Sequence, residues 1–287
     1  MVRIVTDSAS DIPNIIANQL NITVVPAHIL FGRTKFLDGV TLTTPEFYDK
    51  LTSSSLHPLT TQASPYEFFE VFKEIEETGE DILVITLPRK VSVFIEAAEL
   101  ASKHIKKVKI KVISSTGVSG YQGVLVIQAA RLANMGYDLD YIASRIKENS
   151  ETTNLYSVAN VFDYLVRGGR VSVTRGRLGG LLGINPVLKM VDEAVENVGK
   201  PKGIEEAIDF IINSMKRDYS KEEPLMAIVL HALNPSAMVN LSEKLIKNFN
   251  MVELLHGSIG PTIGANIGPG AFGIGVSSIP HELRSSR

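Results

Sequence analysis

Apolar and polar positions along this chain switch repeatedly between a two-residue and a three-to-four-residue period, and the switches mark strand, loop and helix units. Val2 to Val5 is a short β-branched run that stops at Thr6-Asp7-Ser8-Ala9-Ser10-Asp11-Ile12-Pro13, so a helix is expected from Asn14 to Leu20; Asp7 and Ser8, at the carboxyl end of the strand, read as ligand-facing, or Asp11 simply caps the helix. Ile22 to Phe31 reads as one extended run turned by Gly32, and Thr44-Pro45 as the cap and first residue of a short helix. A stronger helix start follows. Ser64 is placed as N-cap, Pro65 stands at the first helical position where its missing N–H costs nothing, and Glu67 closes a capping box. Phe68, Phe72 and Ile75 then recur at helical spacing as far as Gly79. Asp81 to Leu87 is apolar enough for a strand covered on both faces, with a helix over 93–105 behind it. Lys109 to Ile113 is the next strand, followed by a helix through Met135 that Gly136 stops and another from Leu139 to Asn149. Repeated β-α units of this kind predict a doubly wound, mostly parallel sheet.

The texture changes at the polar stretch Glu148 to Thr153, which predicts two domains, 1–153 and 154–287. Leu155 to Ala159 reads as a strand, Asn160 as the cap of a short helix over 161–166, and Gly176 to Gly183 as a glycine-rich run. Val187 to Val191 is strand-like. Ile204, Ile208, Ile211 and Met215 form the core face of an amphipathic helix. Leu225 to Leu230 is an apolar strand, and Asn234-Pro235 opens a helix with Met238, Leu241 and Leu245 inward. Met251 to Leu255 and Ala271 to Val276 look like strands joined by a glycine-rich connection, 257–270. The expected fold class is therefore α/β, with a C-terminal α+β domain whose last strand packs back toward the cleft between the domains.

Composition narrows the function more than the fold. A net charge of -2, with 44% hydrophobic and 21% charged residues, is that of a soluble globular protein and offers no basic stripe for nucleic acid. Zero cysteines exclude disulfides, thiol catalysis and zinc–thiolate sites. The N-terminus lacks the apolar core of a signal peptide, and no apolar run reaches spanning length, so a cytoplasmic protein without a membrane span is expected. Six histidines are scattered with no pair at metal-ligand spacing on one helix, so neither a metal nor a cofactor is expected.

The candidate chemistry centres on Thr60-Thr61-Gln62, a polar loop directly before the helix that Ser64 caps. Two hydroxyls and an amide at the positive end of a helix suit a carboxylate or a phosphate, although a well-capped helix alone gives the same pattern. Ser92 is a further hydroxyl at a strand-to-helix junction. Gly117-Val118-Ser119-Gly120-Tyr121 falls one glycine short of a nucleophile elbow, leaving a hydrolase or transferase acting on a small acyl or phosphorylated substrate, with Ser92 or Ser119 as nucleophile, as the alternative function. Gly268-Pro269-Gly270-Ala271-Phe272-Gly273 has the letters of a dinucleotide fingerprint but no helical pattern after it. Arg170, behind Gly168-Gly169, is a candidate anion clamp or a solvated residue at a helix stop.

The whole pattern resembles the DegV family of bacterial fatty-acid-binding proteins. Asp7-Ser8-Ala9-Ser10-Asp11-Ile12-Pro13 is similar to its opening DSxxDxP, Asp38-Gly39 with Phe47-Tyr48 to its DG…FY segment, and Thr60-Thr61-Gln62-Ala63-Ser64-Pro65 to its TSQPSP loop. Tyr164-Leu165-Val166-Arg167-Gly168-Gly169-Arg170-Val171-Ser172 resembles YLxKGGRIS, and Gly268-Pro269-Gly270 the terminal HxGPG, with Asn266 where the family has histidine. Asn266 can donate a hydrogen bond but carries no charge. The family's SSxLSGTY helix start is here Pro88 to Ile95, which keeps Ser92 and puts Val93 and Phe94 at the glycine and threonine. The resemblance implies one long-chain fatty acid, such as palmitate or oleate, held between two domains and presented to a fatty acid kinase partner, the chain itself being a non-catalytic, lipid-binding subunit. Carried over, Thr60, Thr61, Ser92 and Asn266 take the carboxylate, with Gln62, Ser119, Gly268, Gly270 and Arg170 as further contacts.

Overall fold

The computed structural model describes residues 1–170 and 184–284. β1 (Val2–Asp7) leads through a 3-10 turn to α1 (Asn14–Gln19), where Pro13 and not Asp11 holds the cap position. The single run expected from Ile22 to Phe31 is divided. β2 (Thr23–Val25) pairs in parallel with β1, whereas β3 (His28–Phe31) forms a hairpin with β4 (Thr34–Leu37) in another sheet. Pro26 lies at the break, because a residue without an N–H cannot continue the ladder. α2 (Thr44–Ser53) is capped by Thr43 rather than by Thr44, with Glu46 completing the capping box. β5 (Leu59–Thr61) pairs with β3, so Thr60 and Thr61 stand on an edge strand and not in a loop. α3 (Pro65–Thr78) begins at the Ser64–Glu67 capping box and ends at Gly79, whose φ is 75°.

β6 (Asp81–Thr86), α4 (Phe94–Ser102), β7 (Ile110–Ser114), α5 (Gly120–Asn134) and α6 (Leu139–Ser150) complete an all-parallel sheet of order β2-β1-β6-β7. α3 packs with α4, and α5 with α6, as two layers against it. The direction of strand addition reverses between β1 and β6, the point at which open parallel sheets place a ligand crevice at the carboxyl ends of their strands.

The rest of the described chain contributes β8 (Asn154–Val158), α7 (Phe162–Gly168), β9 (Val187–Val191), β10 (Ala194–Gly199), α8 (Ile204–Asp218), β11 (Leu225–His231), α9 (Pro235–Asn248), β12 (Met251–Ser258), α10 (Pro261–Ile267), β13 (Phe272–Ser278) and α11 (His281–Arg284). Its sheet runs β10-β9-β8-β13-β11-β12, antiparallel except for the parallel pair β11–β12. Two expectations are corrected here. Asn160 does not cap α7; its side-chain oxygen accepts from Asn185 at 3.2 Å. The connection 257–270 contains α10, opened by Gly260-Pro261 and carrying Ile263 and Ile267 one turn apart, in a stretch too short and glycine-rich to show a period. The glycine-rich run Gly176 to Gly183 lies outside the described residues, as do Val171 and Ser172.

α5 joins the two sheets. Thirteen of its fifteen residues are buried, because it packs on β1 on one side and on β11 and β13 on the other. Its backbone reaches β13 so closely that a Cβ on Gly275 would lie 1.9 Å from the carbonyl carbon of Gly120. Arg131 of α5 adds a two-pronged ion pair to Glu253 of β12, at 2.5 and 2.6 Å. No described helix is long and apolar enough to cross a membrane.

Candidate functional site

A cavity of about 380 Å³ lies at the carboxyl ends of the parallel strands, where both sheets contribute to its wall. β5 and its exit bring Thr60, Thr61 and Gln62; the loop after β6 brings Leu87 and 89–93; the loop after β7 brings Val118 and Ser119. The second sheet supplies Leu155, Ser157, Leu188 and Val195, and α10 supplies Thr262, Ile263, Asn266 and Ile267. Of the residues expected from sequence, Thr60, Thr61, Gln62, Ser92, Ser119, Arg170 and Asn266 meet at this wall. Gly268 and Gly270 stand outside it, packed against Tyr164 and Asn160.

The polar groups divide into committed and free donors. Ser119 donates to Asp11 at 2.6 Å, Thr262 to Asp38, and the Asn266 amide to the carbonyl of Thr262 at 2.9 Å. Arg89 pairs with Glu96 and Glu99, Lys90 donates to the Asp192 carbonyl, and Arg170 donates to the Gly168 carbonyl at 2.6 Å. By contrast, the side chains of Thr60, Thr61, Gln62, Ser92 and Ser157 make no hydrogen bond to any described residue. The described lining holds three cations and no carboxylate. Its electrostatics and its unpaired hydroxyls therefore both favour an anion.

Local structure explains the placement of these donors. Glu67 holds the segment before α3: it accepts from the Ser64 backbone N–H and hydroxyl, both at 2.7 Å, and is 2.8 Å from His28 Nε2. Burial pushes the Glu67 carboxyl up, but these bonds outweigh it and leave it below its ordinary value. His28 is also the register partner of Thr61, so the same strand pair fixes both. Ser92 sits in a tight turn in which the Val91 and Ser92 N–H groups both donate to the Pro88 carbonyl at 3.1 Å. Behind the wall lie buried carboxyl groups. Burial raises Asp7 to about 6 and Asp11 to about 8, against hydrogen bonds from Leu87, Gln122 and Ala9 to the former and from Ser119 and Gly260 to the latter.

The apolar part of the wall is continuous with the core. Phe94 is only 1% exposed and packs edge-on against Phe68, with ring centroids 6.1 Å apart, so the residue that replaces a small one in the family pattern forms a stiff section of the lining. Ser157 and Thr262 were not singled out by the sequence reading. Ser157 had a signal: Leu155 and Ser157 share one face of β8, whereas Tyr156 and Val158 face the second core. Thr262 had none, since the helix that carries it was read as a connection.

The fold and the cavity define an α/β protein with a parallel sheet, a second sheet-rich half, and a largely apolar chamber that carries a few free hydroxyl donors. The chain belongs to the DegV family, described as a family of uncharacterised proteins, whose profile matches residues 1–278. A DegV domain-containing protein of Caldanaerobacter subterraneus subsp. tengcongensis is 33% identical over 276 residues, 95% of this chain and 97% of the relative. A fatty acid-binding protein of Thermotoga maritima is 28% identical over 287 residues, 98% of this chain and 99% of that one. Among solved structures, a DegV family protein of Thermus thermophilus described for its fatty acid binding superimposes with a TM-score of 0.90 at 25% identity, covering 96% of this chain and 99% of that one.

Proposed function

We propose that this protein binds one long-chain fatty acid, such as palmitate or oleate, with the carboxylate on Thr60, Thr61, Ser92 and Asn266 and the tail along the apolar wall. The observation that carries the reading is the set of hydroxyl and amide donors on Thr60, Thr61, Gln62 and Ser92 that line the cavity without a side-chain partner among the described residues, in a lining whose remaining surface is mostly aliphatic. A volume of about 380 Å³ is within the range of small-molecule chambers. Each buried methylene contributes about 0.8 kcal/mol, so a tail of about 15 supplies on the order of 12 kcal/mol before ordering costs. Affinity thus comes from the tail, and orientation from the hydroxyls. Gln62, Ser119 and Arg170 lie close enough to the lining to extend the carboxylate contacts, and Arg170 adds a positive charge that Asn266 lacks.

In the same proposal the chain divides at 153/154 and is the non-catalytic, acyl-carrying partner of a cytoplasmic fatty acid kinase. A carboxylate oxygen would attack the terminal phosphorus of ATP, giving an acyl phosphate and ADP. The chain has no phosphate loop of its own, so the nucleotide is assigned to the partner. Titration with palmitate and with 1-hexadecanol tests the binding reading. Palmitate is expected to bind more tightly, with Thr60→Val, Thr61→Val and Ser92→Ala narrowing the gap; equal binding of the two in the wild type overturns it.

A further inference from the structure

α10 brings four residues to the cavity, yet it is a seven-residue helix flanked by glycines on both sides, and it packs most heavily on α7, where Gly168 lies directly against Asn266. Besides α7, a set of groups outside the cavity fixes it. The Tyr48 hydroxyl donates to the Ile259 carbonyl at 2.9 Å, and the Gly260 N–H donates to Asp11 at 2.8 Å. A Cβ on Gly264 would stand 2.6 Å from the Tyr48 hydroxyl and 2.9 Å from the Phe47 ring, so the helix lies directly on α2. The most concentrated contact is Asp38. Its Oδ2 accepts from the Thr262 N–H at 3.1 Å, from the Thr262 hydroxyl, and from the Ser8 hydroxyl at 3.0 Å. The carbonyl of that same Thr262 receives the Asn266 side-chain amide at 2.9 Å.

We infer that Asp38 is a positioning residue for ligand recognition: through Thr262 it fixes the backbone and side-chain orientation of Asn266, and so the α10 wall of the chamber. Asp38 is buried and is not among the residues that line the cavity, so it does not touch the ligand itself. This assigns a task to the Asp38-Gly39 and Phe47-Tyr48 segments, which the carboxylate contacts leave unexplained. Three donors converge on one oxygen, and the other oxygen accepts no hydrogen bond from a described residue. An asparagine can therefore present its carbonyl in the same place, whereas a leucine leaves the Thr262 N–H without an acceptor. The inference rests on the fatty-acid reading above, because the group it positions is the proposed head-group contact Asn266.

The test measures palmitate and 1-hexadecanol affinity, at a temperature where each variant is fully folded, for the wild type, D38N, D38L, T262V, N266A and D38L/N266A. Loss of the buried acceptor in D38L, or of the buried hydroxyl donor in T262V, predicts that each binds palmitate about tenfold more weakly, while D38N stays close to the wild type. Hexadecanol binding is expected to change little. The double variant is expected to lose no more than the worse single one, since both act on one contact. T262V carries the test if D38L fails to fold. Equal palmitate affinity in T262V and the wild type, or losses that multiply in the double variant, overturns the positioning role. A wild type that binds neither ligand overturns the fatty-acid reading instead.

Discussion

Ser119 gives its hydroxyl proton to Asp11 at 2.6 Å, tying the start of α5 to the turn after β1 across 108 positions of sequence. Both partners are strained or desolvated: Ser119 has φ 56° and ψ -134°, Asp11 has φ 50°, and each is buried. Two predictions come from this pair.

The first concerns pH. Burial lifts Asp11 to about 8 from an ordinary 3.8, so the stability linked to it is fully present below pH 3.8 and is lost as the pH climbs to about 8. Asp7, raised to about 6, and Asp38 act in the same direction. Melting temperature should fall from pH 6 to pH 9 in the wild type and fall less in Asp11→Asn, where an amide can still receive the Gly260 N–H and donate to Ser119. Identical slopes in the two proteins would contradict the burial account.

The second concerns nucleophilicity. The acceptor of the Ser119 hydroxyl is a buried carboxyl group raised to about 8 and therefore mostly protonated near pH 7, and no histidine is among the described lining residues, so the serine has no free base to activate it. The Ser92 hydroxyl has no hydrogen-bond partner among the described residues. An alkyl fluorophosphonate is therefore expected to leave the intact mass unchanged, and long-chain nitrophenyl esters to remain unhydrolysed. An adduct mapped to Ser119 or Ser92 would favour the hydrolase alternative.

The third separates folding from binding within the segment before α3. Ser64 accepts from the Glu67 N–H and donates to the Glu67 carboxylate, whereas the Thr61 side chain makes no hydrogen bond to a described residue. Ser64→Ala should cost about 1 kcal/mol, a melting shift of about 2–4 °C, with affinity per folded molecule unchanged. Thr61→Val should do the reverse. Calorimetric melting and ligand titration of both variants check the division, and exchanged outcomes would refute it.

The parts of the fold that were legible in the sequence are those governed by local chemistry. The Ser64-Pro65-Glu67 start, the Gly79 stop and the apolar strand β6 depend on neighbours within a few positions, and the structure has them as read. What local pattern could not show are the relations between distant segments. Thr60 and Thr61 look like loop residues until β3, some thirty positions earlier, is seen to pair with them. Asp11 looks like a helix cap, yet its acceptors serve Ser119 and Gly260. α10 escaped because seven residues with one glycine and a proline carry too little periodicity, and its anchoring on Asp38 and Tyr48 is a tertiary fact. The candidate site was legible where hydroxyls cluster in sequence, and not where a single residue such as Ser157 or Thr262 is brought in by the second sheet.

The central claim is that this chamber holds a fatty acid. Protein purified without added lipid, denatured and extracted, should release close to one long-chain fatty acid per chain by mass spectrometry, and added palmitate should raise the melting temperature of delipidated protein. An extract without acyl species, together with an unchanged melting temperature in palmitate, would contradict it.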